Sequence, residues 1–267
     1  MHLVHVLNSR IVRMSVSNLQ PSLSETAGSV PAPDGDRVES RLRIAVVIPT
    51  FNEADRIADV IAQTRELGPC QILVVDGDSD DGTLQEARAT GADCCLTAVR
   101  GRAAQQNAGA AAGSGDILLF LHADCRLEAG SFEAIREAMS DPNCVGGCFQ
   151  QRIEANGLRY RLLEWGNAQR VKWWTWAYGD QGIFVRRSVF EQLGGFPDLR
   201  LMEDLCLMKR LKKHGRFALL ENRIHISARR WKRQGVFRQT LRNWAFTALV
   251  QCGVSPDRLA KHYPHVR

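Results

Sequence analysis

The sequence predicts an α/β protein in which helices flank a mostly parallel, Rossmann-like central sheet. Three short apolar runs, 44–48, 72–75 and 117–121, have the length and composition of fully buried strands, and the first is rich in β-branched residues. Stretches with apolar side chains at helical spacing separate them. This alternation is typical of βαβ units, which join parallel strands by right-handed crossovers.

Local signals predict where the first helices begin and end. Asn52 is the expected N-cap of a helix that stops at Gly68-Pro69. The tetrapeptide Thr83 to Glu86 matches a capping box and opens a second helix. The alanine-rich segment GRAAQQNAGAAAGSG is expected to form a third helix, and Ser131 is expected to cap a fourth.

The remaining elements are placed by composition and spacing. Residues 94–97 are expected to form a short third strand, and residues 144–154 a strand of the opposite direction. A helix is expected from about Glu203 to His214, and the segment VFRQTLRNWAFTALVQCG predicts a basic amphipathic helix. We therefore divide the chain into a disordered leader (1–41), one α/β domain (42–228) and a basic helical tail (229–267).

Charge and cysteine content narrow the class of protein. The chain has 267 residues, a net charge of +6 and 8 cysteines. Basic residues are dense between Lys209 and Arg242, which favours a phosphate-bearing substrate, an anionic membrane surface or nucleic acid as a partner. The cysteines contain no CxxC pair, so we expect reduced thiols and a cytoplasmic protein. No apolar run is long enough for a membrane span.

Polar clusters follow three of the predicted strands, at residues 50–53, 76–78 and 122–124. Ligands of open parallel sheets bind beyond the carboxyl ends of the strands, so these clusters are expected to meet at one edge. This convergence is the strongest indication of a functional site.

Each cluster has more than one interpretation. Asp124 suits Mg²⁺ or Mn²⁺, which take carboxylate and phosphate oxygens. His122 could ligate the ion, hydrogen-bond a phosphate or mark a polar strand end. Asp76 either accepts from a base N–H or ribose hydroxyl, or belongs to a solvated acidic turn. For Glu203-Asp204, the helix macrodipole alone explains acids in a first helical turn.

Six segments in order over residues 43–225 resemble family 2 glycosyltransferases of the GT-A fold. They are VVIPTFNEA, VVDGDSDDGT, GRAAQQNAGA, ILLFLHAD, GDQGIFVRRSVFEQLGGF and LMEDLCLMKRL. The radical-SAM/selenodomain-associated branch has the most similar segments, including a basic stretch like Ser227 to Arg230. The chain departs from the family where Gly77 replaces an Asp and where His122 replaces the first Asp of the DxD signature.

The resemblance implies a role for each cluster. Asp204 would be the catalytic base, Asp124 a metal ligand, and His225 a late ligand of metal or pyrophosphate. The acceptor side would hold Trp176 and Glu203 with the pair Asp180-Gln181. The nucleotide and donor site would be lined by Thr50, Asn52, Glu53, Asp76, Arg102, Asn107 and His122.

The expected reaction is inverting, metal-assisted transfer of a sugar from a nucleoside diphosphate donor to an acceptor hydroxyl, with Mg²⁺ or Mn²⁺ as cofactor. The sequence does not identify the acceptor, and a lipid-linked acceptor is one alternative. Nucleic acid is not an expected partner. The tail helix either packs on the core, the favoured alternative, or holds the enzyme at the anionic inner face of a membrane. Two rival functions remain, a sugar nucleotidyltransferase of similar fold and a non-catalytic binder of anionic surfaces or nucleic acid.

Overall fold

The computed structural model describes residues 41–229, 231 and 235–260. Most of the expected leader, residues 1–40, and parts of the expected tail therefore lie outside the described residues. The strands are β1 (Ile44–Thr50), β2 (Gln71–Asp76), β3 (Cys94–Thr97), β4 (Ile117–Phe120), β5 (Cys125–Leu127), β6 (Cys144–Ile153), β7 (Ile183–Arg186) and β8 (Arg216–Ile226). The helices are α1 (Ala54–Glu66), α2 (Thr83–Ala89), α3 (Arg102–Ala112), α4 (Ser131–Ser140), α5 (Leu158–Trp174), α6 (Arg187–Gln192), α7 (Glu203–Leu211), α8 (Val236–Gln251) and α9 (Pro256–Ala260).

The strands form one mixed sheet in the order β3-β2-β1-β4-β7-β6-β8-β5. β7 runs antiparallel to its neighbours β4 and β6, and β5 runs antiparallel to β8. Because two reversals cancel, β6 runs in the same direction as β4, so the expectation of an opposite direction for residues 144–154 is wrong. Two strands are reversed: β7, which enters the sheet between β4 and β6, and β5 at the sheet edge.

Two glycines of β6 allow β7 to approach it closely. A Cβ at Gly146 would lie 2.5 Å from the carbonyl oxygen of Phe184, and one at Gly147 would lie 2.3 Å from the Phe184 ring. Such separations are below van der Waals contact, so only glycine fits at this crossing. The close approach lets the reversed strand complete the sheet next to the site.

Alternate side chains of β1 feed two apolar layers, one on each face of the sheet. Ile44, Val46 and Ile48 belong to the layer covered by α1 and α4, whereas Ala45 and Val47 belong to the layer covered by α3, α6 and α7. Since successive strand residues point to opposite faces, a strand buried on both faces reads as one continuous apolar run. This burial explains why the first strand was recognisable from sequence.

The caps differ from those expected. Glu53, Gly82 and Gly130 are the N-cap residues, so the assignments of Asn52, Thr83 and Ser131 as caps are each one residue off. At the two glycines the chain has φ of 88° and 77°, a left-handed conformation that glycine adopts without steric cost. Thr83 instead uses its hydroxyl to accept a hydrogen bond from the Glu53 amide at 2.9 Å.

The helix α8 lies in the segment expected to form the tail, and one side of it packs on the body of the protein. Its Val250 forms a small apolar cluster with Leu205 of α7 and Leu259 of α9. The Thr247 hydroxyl hydrogen-bonds the Tyr178 hydroxyl at 2.8 Å. None of the helices within the described residues is both long and apolar enough to cross a bilayer.

Candidate active site

The carboxyl ends of β1 and β2 meet at one edge of the sheet, as expected. The Thr50 hydroxyl donates to Oδ1 of Asp76 at 3.0 Å, and Ser79 donates to both Asp76 oxygens through its hydroxyl (2.6 Å) and amide (2.7 Å). Asp76 is 3% exposed. The carboxylate therefore organises the acidic turn at the ends of the two strands.

Gln105 of α3 locks the same strand ends from the other side. Its amide nitrogen donates to the carbonyl oxygens of Thr50 (2.7 Å) and Val75 (2.8 Å). A Cβ at Gly77 would lie 3.2 Å from that nitrogen. The glutamine thus occupies the space beside residue 77, which gives a physical reason why glycine stands where the family has Asp.

The other residues expected at the nucleotide differ in exposure. Asn52 is exposed, with φ of 53°, and its side-chain oxygen accepts from the Asp80 amide at 3.2 Å. Glu53 is 2% exposed and pairs with Arg56 at 3.0 Å. Sequence reasoning missed one contact in this region. The guanidinium of Arg100 stacks on the Phe51 ring, 3.6 Å from the ring centre.

A cleft opens beyond β4, where α3, α7 and the end of β8 converge. It brings together Arg102, His122, Asp124, Asp180 and Asp204, all of them predicted site residues. The residues that sequence reasoning missed are Cys125, Tyr178, Gly179, Leu201, Met202, Ile226, Ser227, Arg229, Trp231 and Asn243. Residues after β8 were the ones that topology could have indicated. β8 runs in the same direction as β4, so its carboxyl end lies at the same edge of the sheet.

Asp204 lies at the wall of the cleft, 9% exposed. Its Oδ2 accepts the Gly179 amide at 2.7 Å, and its Oδ1 accepts the Leu205 amide at 2.6 Å. Burial, reinforced by the neighbouring Glu203 carboxylate, raises the pKa of Asp204 to about 6, although Arg102 and the two amides oppose the shift. A carboxylate with a pKa near the working pH is suited to accept a proton.

Arg102 lines the cleft and contacts Glu203, the neighbour of Asp204. It begins α3, and its guanidinium lies 3.8 Å from Oε1 of the buried Glu203. Arg102 and Glu203 therefore lie together, and Glu203 acts on Asp204 through its charge.

Three possible metal-binding groups lie together beyond β4. One nitrogen of His122, one oxygen of Asp124 and the sulfur of Cys125 are all within 4.8 Å of one another. Burial, with the Asp124 and Asp180 carboxylates, raises the pKa of the Cys125 thiol. The His122 nitrogen beside the Asp124 carboxylate fits Mn²⁺ better than Mg²⁺, which prefers oxygen ligands, whereas a protonated Cys125 thiol is a weak ligand for either ion.

Gly179 joins the two halves of the cleft. A Cβ built there would lie 3.0 Å from Nε2 of His122 and 3.6 Å from Oδ2 of Asp204. The imidazole and the carboxylate therefore flank the same backbone position. The glycine belongs to a short 3₁₀ helix, Gly179–Gln181, that leads into β7.

Three predicted site residues have structural contacts instead. Asn107 donates to the Phe196 carbonyl (2.8 Å) and accepts the Phe196 amide (2.9 Å), so its amide holds a loop. Gln181 is 0% exposed and bonds Arg170 at 2.6 Å. These polar atoms serve the fold, and a role for either residue at a ligand stays a prediction.

His225 is also misplaced as a partner of Asp124. Its imidazole lies 3.0 Å from Glu128 and 3.9 Å from Glu154, and it lines a second cavity. Ile226, the next residue of β8, lines the cleft. Because adjacent strand residues face opposite sides, His225 points away from it.

The expected acceptor-side residues occupy the same end of the molecule. The carboxylate of Asp180 accepts from the Gln151 amide at 2.8 Å beside the cleft. Trp176 stacks on Trp174 with ring centres 5.6 Å apart and packs against the cluster that contains Leu205. Met202, which lines the cleft, packs on the same cluster as Trp176.

The sequence profile of glycosyl transferase family 2 matches residues 45–194. The chain belongs to this family. Glycosyltransferase AglE of Haloferax volcanii is 37% identical over 170 residues, which cover 58% of this chain and 56% of AglE. Glycosyltransferase AglJ of the same organism is 37% identical over 73 residues, 27% of this chain and 22% of AglJ. The matches thus span about half or less of these relatives.

Solved structures confirm the expected GT-A fold. S. aureus TarS 1–349 in complex with UDP-GlcNAc matches with a TM-score of 0.55 and 14% identity, over 70% of this chain and 58% of TarS. Mannosyl-3-phosphoglycerate synthase from Rubrobacter xylanophilus matches with a TM-score of 0.53 and 18% identity, over 80% of this chain and 76% of that one. The assignment to the radical-SAM/selenodomain-associated branch stays a prediction.

Proposed function

We propose that this protein transfers a sugar, with inversion, from a nucleoside diphosphate donor to an acceptor hydroxyl. The observation that carries the proposal is the placement of Asp204 and the His122–Asp124 pair in one cleft, on either side of Gly179. Membership of glycosyl transferase family 2 supports it. A fold like that of TarS, which was solved with UDP-GlcNAc, makes a uridine nucleotide the first donor to test.

Asp204 is the proposed base. Its two backbone hydrogen bonds fix the carboxylate, and a pKa of about 6 leaves it ionised at neutral pH. It takes the proton of the acceptor hydroxyl as that oxygen attacks the anomeric carbon and the bond to the diphosphate breaks. General-base catalysis of this kind contributes roughly 10²- to 10⁴-fold.

The donor diphosphate is expected at the other side of the cleft. Members of the family generally use a divalent metal ion, and Asp124 with His122 would hold it here. When bound, such an ion neutralises charge that develops on the leaving diphosphate. Arg102 and Arg229 line the cleft and can pair with phosphate oxygens.

The nucleoside is proposed to lie over the ends of β1 and β2. Thr50 and Asp76 shape that surface from below, Asn52 is exposed at it, and the Arg100–Phe51 stack offers a flat face for a base. Asp180, Trp176 and Glu203 remain the proposed acceptor side. A lipid-linked acceptor stays a proposal.

A screen of nucleotide sugars tests the function. UDP- and GDP-sugars are incubated with the enzyme in Mn²⁺, in Mg²⁺ or in EDTA, and release of the nucleoside diphosphate is measured. We expect one sugar nucleotide to be turned over and Asp124→Ala to abolish turnover. Consumption of a nucleoside triphosphate and sugar phosphate instead would establish the nucleotidyltransferase alternative, and inertness toward every nucleotide would favour the non-catalytic binder.

A further inference from the structure

The helix α5 has two apolar faces, and only one of them is covered. Its Tyr160 and Val171 are buried against the protein. Leu158, Leu162 and Trp165 are 74%, 59% and 61% exposed. A soluble helix ordinarily shows a polar face toward water, so the second apolar face of α5 needs an explanation.

The exposed residues form one stripe. Leu158, Leu162, Trp165 and Trp173, which is 63% exposed, fall within an arc of about 80° when successive residues are turned by the helical angle. Lys172 is exposed at one end of the stripe, and Arg159 is exposed at the other. We call these four apolar residues the α5 stripe.

A cationic cavity lies at the start of the α5 stripe. It is lined by Arg152, Arg159 and Arg161 together with Glu154. Arg152 and Arg161 both pair with Glu164, at 3.7 Å and 2.9 Å, whereas Arg159 lies over the Tyr160 ring at 5.0 Å. Glu154 and Glu164 balance Arg152 and Arg161, so it is the exposed Arg159 that brings positive charge to the start of the α5 stripe.

At its other end the α5 stripe approaches the active-site cleft. Trp173 contacts Trp174 edge-on at 5.5 Å, and Trp174 stacks on Trp176. Trp176 packs on the apolar cluster that also takes Leu201 and Met202, two residues that line the cleft. A partner that binds the α5 stripe would therefore lie next to the mouth of the cleft.

We propose that the α5 stripe docks on an anionic lipid bilayer, with α5 lying in the plane of the interface. Tryptophan and leucine on one face with basic residues at its borders are the composition of interfacial helices, and tryptophan favours the boundary between headgroups and acyl chains. A second copy of the chain fits less well, because antiparallel pairing of α5 would bring Arg159 of one copy toward Lys172 of the other.

The proposal assigns membrane contact to α5 in place of the basic tail. The helix α8 also exposes Leu241 and Trp244, at 70% and 59%. The two helices are therefore compared directly, with the double variants Trp165→Gln/Trp173→Gln and Leu241→Gln/Trp244→Gln. Val99→Ser, at an 81% exposed apolar position outside both helices, is the control.

The test is flotation of the full chain with vesicles of phosphatidylcholine, with and without phosphatidylglycerol, together with the shift of tryptophan emission. We expect binding to the anionic vesicles, a loss of at least about tenfold in the α5 variant, since about 60 Å² of apolar surface is worth a factor of ten, and little change in the control. Far-UV circular dichroism checks that the variants fold.

Four results would overturn the inference, three from flotation and one from light scattering. The wild type could fail to float, the α5 variant could float like the wild type, or the α8 variant alone could lose binding. A wild-type dimer by light scattering that the α5 substitutions dissociate would make a second copy the occupant. Turnover of nucleotide sugars without vesicles is a separate readout, so failure of membrane docking is distinguishable from failure of the proposed function.

Discussion

The backbone amide of Gly179 donates a 2.7 Å hydrogen bond to Oδ2 of Asp204. The same glycine lies against Nε2 of His122, where a Cβ would come within 3.0 Å. The absence of a side chain at residue 179 therefore sets the distance between the proposed base and the proposed donor-binding group. Two side chains separated by 82 positions in the chain are brought together by one glycine.

Gly179→Ala is expected to lower turnover by about tenfold or more, because the methyl group displaces His122 or Asp204 and small misplacements of reacting groups are costly. Steady-state kinetics with the donor selected by the screen measure the loss. Gly166→Ala is the matched control, since a Cβ there meets nothing within 4 Å. Wild-type kinetics of Gly179→Ala would show that this contact does not position the site.

The pH profile should carry the signature of Asp204. Its pKa is raised to about 6 by burial and by Glu203, so kcat/KM is expected to rise as the pH increases through about 6 and the carboxylate ionises. Glu203→Gln removes one of the raising charges and should shift that limb to lower pH. A limb that does not move, or moves upward, would contradict the assignment.

Metal binding should follow the mixed donor set. Isothermal titration is expected to show tighter binding of Mn²⁺ than of Mg²⁺ and loss of both in Asp124→Ala. Cys125→Ser should weaken Cd²⁺ binding, because a soft ion prefers the sulfur, whereas Cys95→Ser should not. Equal affinity for Mg²⁺ and Mn²⁺ would indicate that His122 and Cys125 do not contribute.

Asn107 tests whether a residue predicted to line the donor serves the fold instead. Asn107→Ala removes both hydrogen bonds to Phe196, so the free energy of unfolding should fall by about 1–3 kcal/mol, as measured by chemical denaturation. The donor KM should stay within about twofold of wild type. Gln85→Ala, at an exposed amide on α2, is the control, and a large rise in KM would restore Asn107 to the donor site.

Much of the parallel half of the sheet was predictable, because β1, β2 and β4 are buried on both faces and produce unbroken apolar runs. The direction of β6 was not, because direction depends on β7, which enters the sheet from later in the chain. The meeting of Thr50 with Asp76 follows from parallel strands ending at one edge. Arg102, Asp124 and Asp204, which the resemblance to the family singled out, lie in one cleft, and their roles stay predictions.

Three of the predicted site residues make structural contacts for a common reason. Asn107, Gln181 and His225 are polar residues near chemically suggestive motifs, and a motif does not show where a side chain points. The Asn107 amide turns to the Phe196 backbone, and His225 faces the opposite side of β8 from Ile226. Cys125 was overlooked because it opens β5 as a buried thiol, and sequence gives no reason to separate a ligand from a core thiol there.

The most direct test of the account separates donor binding from turnover in Asp204→Asn. Because both carboxylate oxygens accept backbone amides, the asparagine nitrogen will face a donor, so Asp204→Ala and thermal unfolding accompany it. Asp59→Asn, at an exposed position of α1, is the control. We predict donor affinity within about twofold of wild type and turnover reduced roughly 10²- to 10⁴-fold. Wild-type turnover, or loss of donor affinity in a folded variant, would contradict the role of Asp204 as the base.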